Sequence, residues 1–196
     1  MKQIVAIVGL CGSGKSVVAD EFTKADYKFI RFGQITLDKL KEQGIEPNEA
    51  NQKAMREGLR QEHGMAAFAI LNQDKINNTD KNVIIDGLYS WSEYKVLREK
   101  YRDNFHIITV YAPPKTRWER LSQRFPDETD TNLRNHHFTQ EEAKARDYAE
   151  IENIEKGGPI AMADFTIHNT GTIEEAKEKA KEIIAILDKP YTHDQS

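Results

Sequence analysis

At 196 residues, with 38% hydrophobic and 31% charged residues, the chain is long enough for one good core under a heavily charged surface. A net charge of −4 argues against broad nucleic-acid binding, and the single cysteine, Cys11, excludes an internal disulfide and points to a reducing cytoplasm. No apolar stretch approaches the ~20 residues that span a bilayer, and the amino terminus runs straight into a strand with no signal peptide, so no membrane is expected.

The first apolar run is Ile4–Val8, short and continuous as a buried parallel strand should be. Gly9-Leu10-Cys11-Gly12-Ser13-Gly14-Lys15-Ser16 follows and fits the pattern G-x-x-x-x-G-K-[ST]. Gly9, Gly12 and Gly14 let backbone N–H groups, with that of Ser13, turn around an anion without a Cβ in the way. Lys15 reaches the β- and γ-phosphates of a nucleoside triphosphate, and the Ser16 hydroxyl can ligate Mg²⁺. Val17, Val18 and Phe22 resume on helical spacing, so the loop lies between a strand and a helix whose positive end faces the anion. Cys11 is small enough to fit inside the loop.

Further strands are expected at Lys28–Phe32, Val83–Asp86, Phe105–Tyr111 and Phe165–His168. Helical patterns fill the gaps, and S/T-x-x-E capping boxes open helices at Ser90/Glu93, Thr139/Glu142 and Thr172/Glu175. Trp91, Tyr94 and Leu97 read as a packing stripe, with Trp118 and Leu121 as another. Strands alternating with helices predict an α/β fold with a parallel sheet, which takes ligands beyond the carboxyl ends of its strands. The chain reads as one domain. Residues 33–82, amphipathic through Met55, Leu59, Met65, Phe68 and Leu71, form a flap or an extra packing layer. Residues 115–160 form a lid region or further packing, and residues 189–196 a frayed tail.

Asp86 closes its strand before Gly87 and is placed to hold Mg²⁺ directly or through water. Arginines fall into two groups. Arg31, Arg56 and Arg60 accompany the first flap; Arg117, Arg120, Arg124, Arg134 and Arg146 accompany the second. Arg117, Arg120 and Arg124 are spaced to share a helix side. Of the lid set, Arg120 and Arg124 are the candidates to stabilise a transferring phosphoryl group. Asn169-Thr170-Gly171 either presents backbone groups to a purine edge or is a plain strand-to-helix turn. His136-His137, lacking spaced partners, reads as an exposed polar segment rather than a metal site.

Taken together, these segments resemble the nucleoside-monophosphate-kinase-like group of P-loop kinases, and within it the dephospho-CoA-kinase-like or adenylate-kinase-related proteins. The resemblance runs nearly end to end. It is carried by Ile7 to Ser16, Arg31-Phe32-Gly33, Arg60 to Ala66, and Ile85-Asp86-Gly87 with Ser90 to Tyr94. It continues through Pro114 to Leu121, Arg146-Asp147 and Ala163 to Gly171. It implies a five-stranded parallel sheet of the P-loop NTPase fold with an acceptor flap and a short lid, and ATP as donor with Mg²⁺. Gln34 stands where that group tends to have Asp, and Tyr89 where it tends to have Arg; the Arg that adenylate kinases carry just after Asp-Gly is absent.

The acceptor divides the readings. Transfer to a ribose hydroxyl favours a carboxylate base, and dephospho-CoA kinases resemble one another in an Asp at the end of the second strand. Here Arg31-Phe32-Gly33-Gln34 brings no carboxylate before Asp38. A nucleoside monophosphate needs cations instead, and Arg31, Arg56, Arg60 and Arg146, with Tyr89, suit it. This reading leads. The hydroxyl alternative stays open, because Phe138 to Ala143 and Arg146 resemble dephospho-CoA kinases and Asp86 could act as base. A nucleotide-dependent regulatory ATPase is the third reading; the chain has no N-K-x-D for guanine. Small-molecule nucleotides are the expected partners, and the protein a monomer or homodimer.

Overall fold

The protein is represented by a computed structural model that describes residues 2–124 and 138–189. Arg134, His136, His137 and most of the expected tail lie outside the described residues.

Five parallel strands form one sheet: β1 Ile4–Val8, β2 Lys28–Arg31, β3 Val83–Asp86, β4 Phe105–Tyr111 and β5 Phe165–His168, in the order β2-β3-β1-β4-β5. β1 is central. Ile4 sits opposite Val83 on one side and Phe105 on the other. All five β1 residues are buried. Side chains alternate faces along a strand, so Ile4, Ala6 and Val8 enter one core cluster and Val5 and Ile7 the other. Each fully buried Ile or Val contributes roughly 1.5–3 kcal/mol.

β2 stops one residue short of the expected Phe32. Phe32 N still donates to Asp86 O at 2.9 Å, but the chain then turns at Gly33 into helix α2, Gln34–Glu42.

Helices cover both faces. The face with Val5 and Ile7 packs against α1, Lys15–Lys24, through Val18 and Phe22, and against the C-terminal helix, Ile173–Leu187, through Ile183 and Leu187. The other face packs against the segment that follows α2: α3 Glu49–His63, α4 Ala67–Leu71 and α5 Gln73–Asn77, and against α6 Trp91–Tyr101. Leu59 and Phe68 are buried there, Met55 and Leu71 partly so, whereas Met65 faces outward.

Three capping boxes form where the spacing predicts them, at Ser90, Thr139 and Thr172. Ser90 also donates to Met65 O at 2.8 Å, tying α6 to the flap. Trp91 stacks on Tyr94 at 4.7 Å, and Leu97 is buried beneath them. The lid region holds α7 Pro114–Ser122, α8 Gln140–Glu152 and α9 Gly157–Ala161; the C-terminal helix is α10.

Candidate active site

The glycine-rich loop joins the end of β1 to α1 at the carboxyl edge of the sheet. Gly14 precedes the helix with φ 95° and gives no side-chain cap. The first-turn amides of a helix have no intrahelical carbonyl, so they and the helix dipole make an anion seat. Main-chain neighbours leave no room for a side chain at two glycines: a Cβ on Gly9 (φ 140°) would collide with Val110 O, and one on Gly12 (φ 78°) would lie 2.6 Å from Arg117 O.

The loop is braced from behind. Asn169 Nδ2 donates to Ser13 O at 2.8 Å, and Arg120 Nη2 donates to Asn169 O at 3.0 Å. Arg117 Nη1 donates to Cys11 O at 3.2 Å and to Asp147 Oδ1 at 2.6 Å, while its Nε donates to Ala112 O. Trp118 Nε1 takes the other Asp147 oxygen at 2.8 Å. α7, α8 and the β5–α10 turn thus fix the curvature of the loop with buried polar contacts that cost free energy if left unmade.

In front of the loop lies a cavity of about 350 Å³ lined by Gly12, Gly14, Lys15, Ser16, Asp86 and Arg124, among others. Lys15 Nζ donates to Gly9 O at 2.9 Å and Leu10 O at 3.1 Å. Burial, and then the nearby charge of Lys156, lower its pKa below the ordinary lysine value. A second cavity, about 370 Å³, adjoins the first and contains Arg56 and Arg60. Arg31, Tyr89, Arg146 and Glu150 line both. Arg60 lies over the Phe68 ring at 5.2 Å with its Nε buried and lacking a hydrogen-bond partner. Arg56 pairs with the exposed Glu49 at 2.9 Å.

Between the cavities stands a charged group that composition and spacing did not single out. Glu150 Oε1 accepts from Arg146 Nε at 3.2 Å, and Oε2 accepts from Lys156 Nζ at 2.6 Å. Burial alone would push the Glu150 pKa up; the charges of Lys156 and Arg146 outweigh it and hold it down at about 2. Lys156 is 2% exposed and sits over the Tyr89 ring at 4.8 Å. Burial, first of all, raises the Tyr89 hydroxyl pKa well above the ordinary tyrosine value. The Tyr89 main-chain N–H donates to the buried Glu93 carboxylate at 2.8 Å, which fixes the turn after Gly87. The i,i+4 spacing from Arg146 is the sequence signal that could have found Glu150; Lys156 gave none.

The structure therefore brings Gly12, Gly14, Lys15, Ser16, Asp86 and Arg124 together, with Arg31, Tyr89 and Arg146 beside them and Arg56 and Arg60 beyond. It separates the expected arginine row. α7 ends at Ser122 with Gln123 as its cap, so Arg124 stands past the helix; Arg117 is buried; Arg120 holds Asn169. Arg120, Asn169 and Gly171 line neither cavity. The Asn169 amide grips the loop instead of facing a base, and Gly171 lies against Glu175 of α10. Gly9, Ser13 and Val17 likewise support the loop rather than line the space, with Ser13 buried and Val17 packed against the core. Among the described residues, no three His, Cys, Asp or Glu side chains converge as a metal cage, and no helix is long and apolar enough to cross a membrane.

Residues 5–147 match the family model described as an AAA domain. Over 185 residues the chain is 32% identical to a UPF0200 protein of Thermococcus kodakarensis, covering 92% of this chain and 96% of the relative. It is 35% identical over 182 residues to a UPF0200 protein of Aeropyrum pernix, covering 91% and 90%. Among solved structures, TT1252 from Thermus thermophilus aligns with a TM-score of 0.64 at 18% identity, over 96% of this chain and 99% of that one. A shikimate kinase from Acinetobacter baumannii, in complex with shikimate, aligns with a TM-score of 0.54 at 15% identity, over 95% and 93%. Likenesses at such identity speak for architecture, and the fold is P-loop kinase-like α/β. With relatives above 30% identity along nearly their whole length, the chain belongs to the UPF0200 family and carries an AAA domain.

Proposed function

We propose that this protein is an ATP-dependent phosphotransferase that moves the γ-phosphoryl group to a nucleoside or deoxynucleoside monophosphate. The observation that carries the reading is the shared wall: one cavity opens on the phosphate loop, the next holds Arg56 and Arg60, and Arg31, Tyr89, Arg146 and Glu150 face both. A donor phosphate and an acceptor phosphate repel, and an arginine-lined junction offsets that repulsion. Arginine also grips phosphate oxygens bidentately.

In this reading the loop and Lys15 hold the triphosphate, Arg124 neutralises charge in the donor cavity, and Arg146 does so where the cavities meet. Ser16 and Asp86 line one cavity, a hydroxyl and a carboxylate that suit Mg²⁺, which takes most of its ligands from water and phosphate. When bound, Mg²⁺ supplies positive charge to the β- and γ-oxygens. The partners are small-molecule nucleotides, in the cytoplasm, with the protein a monomer or homodimer.

A second reading, transfer to a ribose hydroxyl as in dephospho-CoA kinases, has one observation in its favour. Asp86 reaches the donor cavity and could accept the hydroxyl proton. Thermal melts with a non-hydrolysable ATP analogue and Mg²⁺, repeated with each nucleoside monophosphate and with dephospho-CoA, separate the two. An acceptor adds RT ln(1 + [L]/Kd) of stability. A monophosphate that raises the melting temperature supports the first reading, and dephospho-CoA alone doing so supports the second. ATP hydrolysis indifferent to every acceptor would point to a regulatory ATPase.

A further inference from the structure

The Lys156 ammonium is nearly sealed from solvent, yet it faces the donor cavity. It makes one hydrogen bond, to Glu150, and rests on the Tyr89 ring. It lines the same cavity as Lys15. A buried and a half-buried ammonium facing one space repel, and a buried cation is costly unless paired. Glu150 can offset only part of this, since Arg146 holds its other oxygen. The arrangement is balanced when a polyanion enters between the lysines.

We propose that Lys156 is a second phosphate-binding lysine, presented by the α8–α9 turn, that contacts the γ-phosphoryl group from the side opposite Lys15 while Glu150 holds it in line. Its place fits that end of the donor rather than the α-phosphate. Tyr89 beneath it and Glu150 beside it both reach into the acceptor cavity, where the transferring group must pass. The Lys156 side chain approaches from the lid, whereas Lys15 comes from the loop. This rests on the kinase reading above.

The test compares binding of ADP and of imido-ATP, both with Mg²⁺, by calorimetry. The variants are the charge-neutral pair Glu150→Gln/Lys156→Met, whose new amide oxygen can still accept from Arg146, and Lys156→Arg. We expect the pair to weaken imido-ATP about tenfold, the value of a charge-assisted contact, with ADP affinity unchanged. Lys156→Arg should restore most of the loss. Equal weakening of both nucleotides, or of neither, overturns the inference and leaves Lys156 a purely structural pin. Should the pair fail to fold, Lys156→Gln gives the same comparison. Wild-type protein that binds neither nucleotide would instead remove the kinase reading, and this inference with it.

Discussion

Arg117 and Asp147 form a buried ion pair, 2.6 Å between Nη1 and Oδ1, directly behind the phosphate loop. The same guanidinium holds the carbonyls of Cys11 and Ala112, and the other Asp147 oxygen accepts from Trp118. One pair thus joins the loop, the end of β4, α7 and α8. Its worth lies in positioning, since a buried pair seldom adds net stability over apolar packing.

Breaking that pair from one side should be expensive. Asp147→Ala leaves the Arg117 charge buried and unpaired and strips Trp118 of its acceptor, at an expected cost of about 3–5 kcal/mol. Urea denaturation of Asp147→Ala, Arg117→Met and the double variant measures it. The double variant should lose less than the sum of the singles; strict additivity would show that the two side chains act independently.

Lys15→Ala should lower phosphoryl transfer by at least about 10²–10³-fold, as loss of a positioned charge at a transition state does. Stability should hold or rise, because burial and Lys156 both disfavour the Lys15 charge. A coupled assay and a melt on the same preparation check both halves. Full activity in the variant would mean that the catalytic site is elsewhere.

Arg60→Ala should raise the acceptor KM roughly 10–100-fold, the value of a charge-assisted contact, and leave ADP affinity unchanged, because Arg60 lines only the second cavity. Steady-state kinetics with the acceptor varied decides this. Unchanged acceptor KM would remove Arg60 from the acceptor site.

Stability should depend on pH through two buried glutamates in opposite senses. Burial, partly offset by the Tyr89 and Ser90 amides and by Arg60, pushes Glu93 from near 4.5 up to about 7. Between those values the folded protein keeps a proton that the unfolded chain has lost. The stabilising contribution of Glu93 is therefore complete below about 4.5 and falls as pH rises through 7, by roughly 3 kcal/mol in all. Glu150, held near 2, works the other way: its contribution is present above about 4.5 and is lost as pH falls toward 2. Denaturant melts from pH 4 to 8 should show wild type losing stability relative to Glu93→Gln as pH rises. A constant difference between the two would show that Glu93 titrates normally.

Much of the frame was legible because it rests on local rules. Buried parallel strands write themselves as apolar runs, so Val83–Asp86, Phe105–Tyr111 and Phe165–His168 occupy the residues expected, as do the three capping boxes. The loop was legible for the same reason: its glycines and lysine act within eight residues. The lid was less so. Helical spacing placed Arg117, Arg120 and Arg124 together, but which of them is buried depends largely on carbonyls of Cys11 and Asn169 far along the chain. Lys156 sits in a polar stretch that reads as surface, and its burial comes from the α8–α9 turn, which sets its ammonium over the Tyr89 ring.

The wall common to the two cavities has a thermodynamic corollary. Whatever fills one pocket resets the field and the side-chain geometry that the other presents, since Arg31, Tyr89, Arg146 and Glu150 belong to both. Linkage makes such cross-talk reciprocal: if the first ligand sharpens or blunts the second by some factor, the second does the same to the first. If the proposed donor and acceptor occupy these pockets, they are therefore not independent guests, and a titration of one performed with the other present reads a different constant from a titration performed alone.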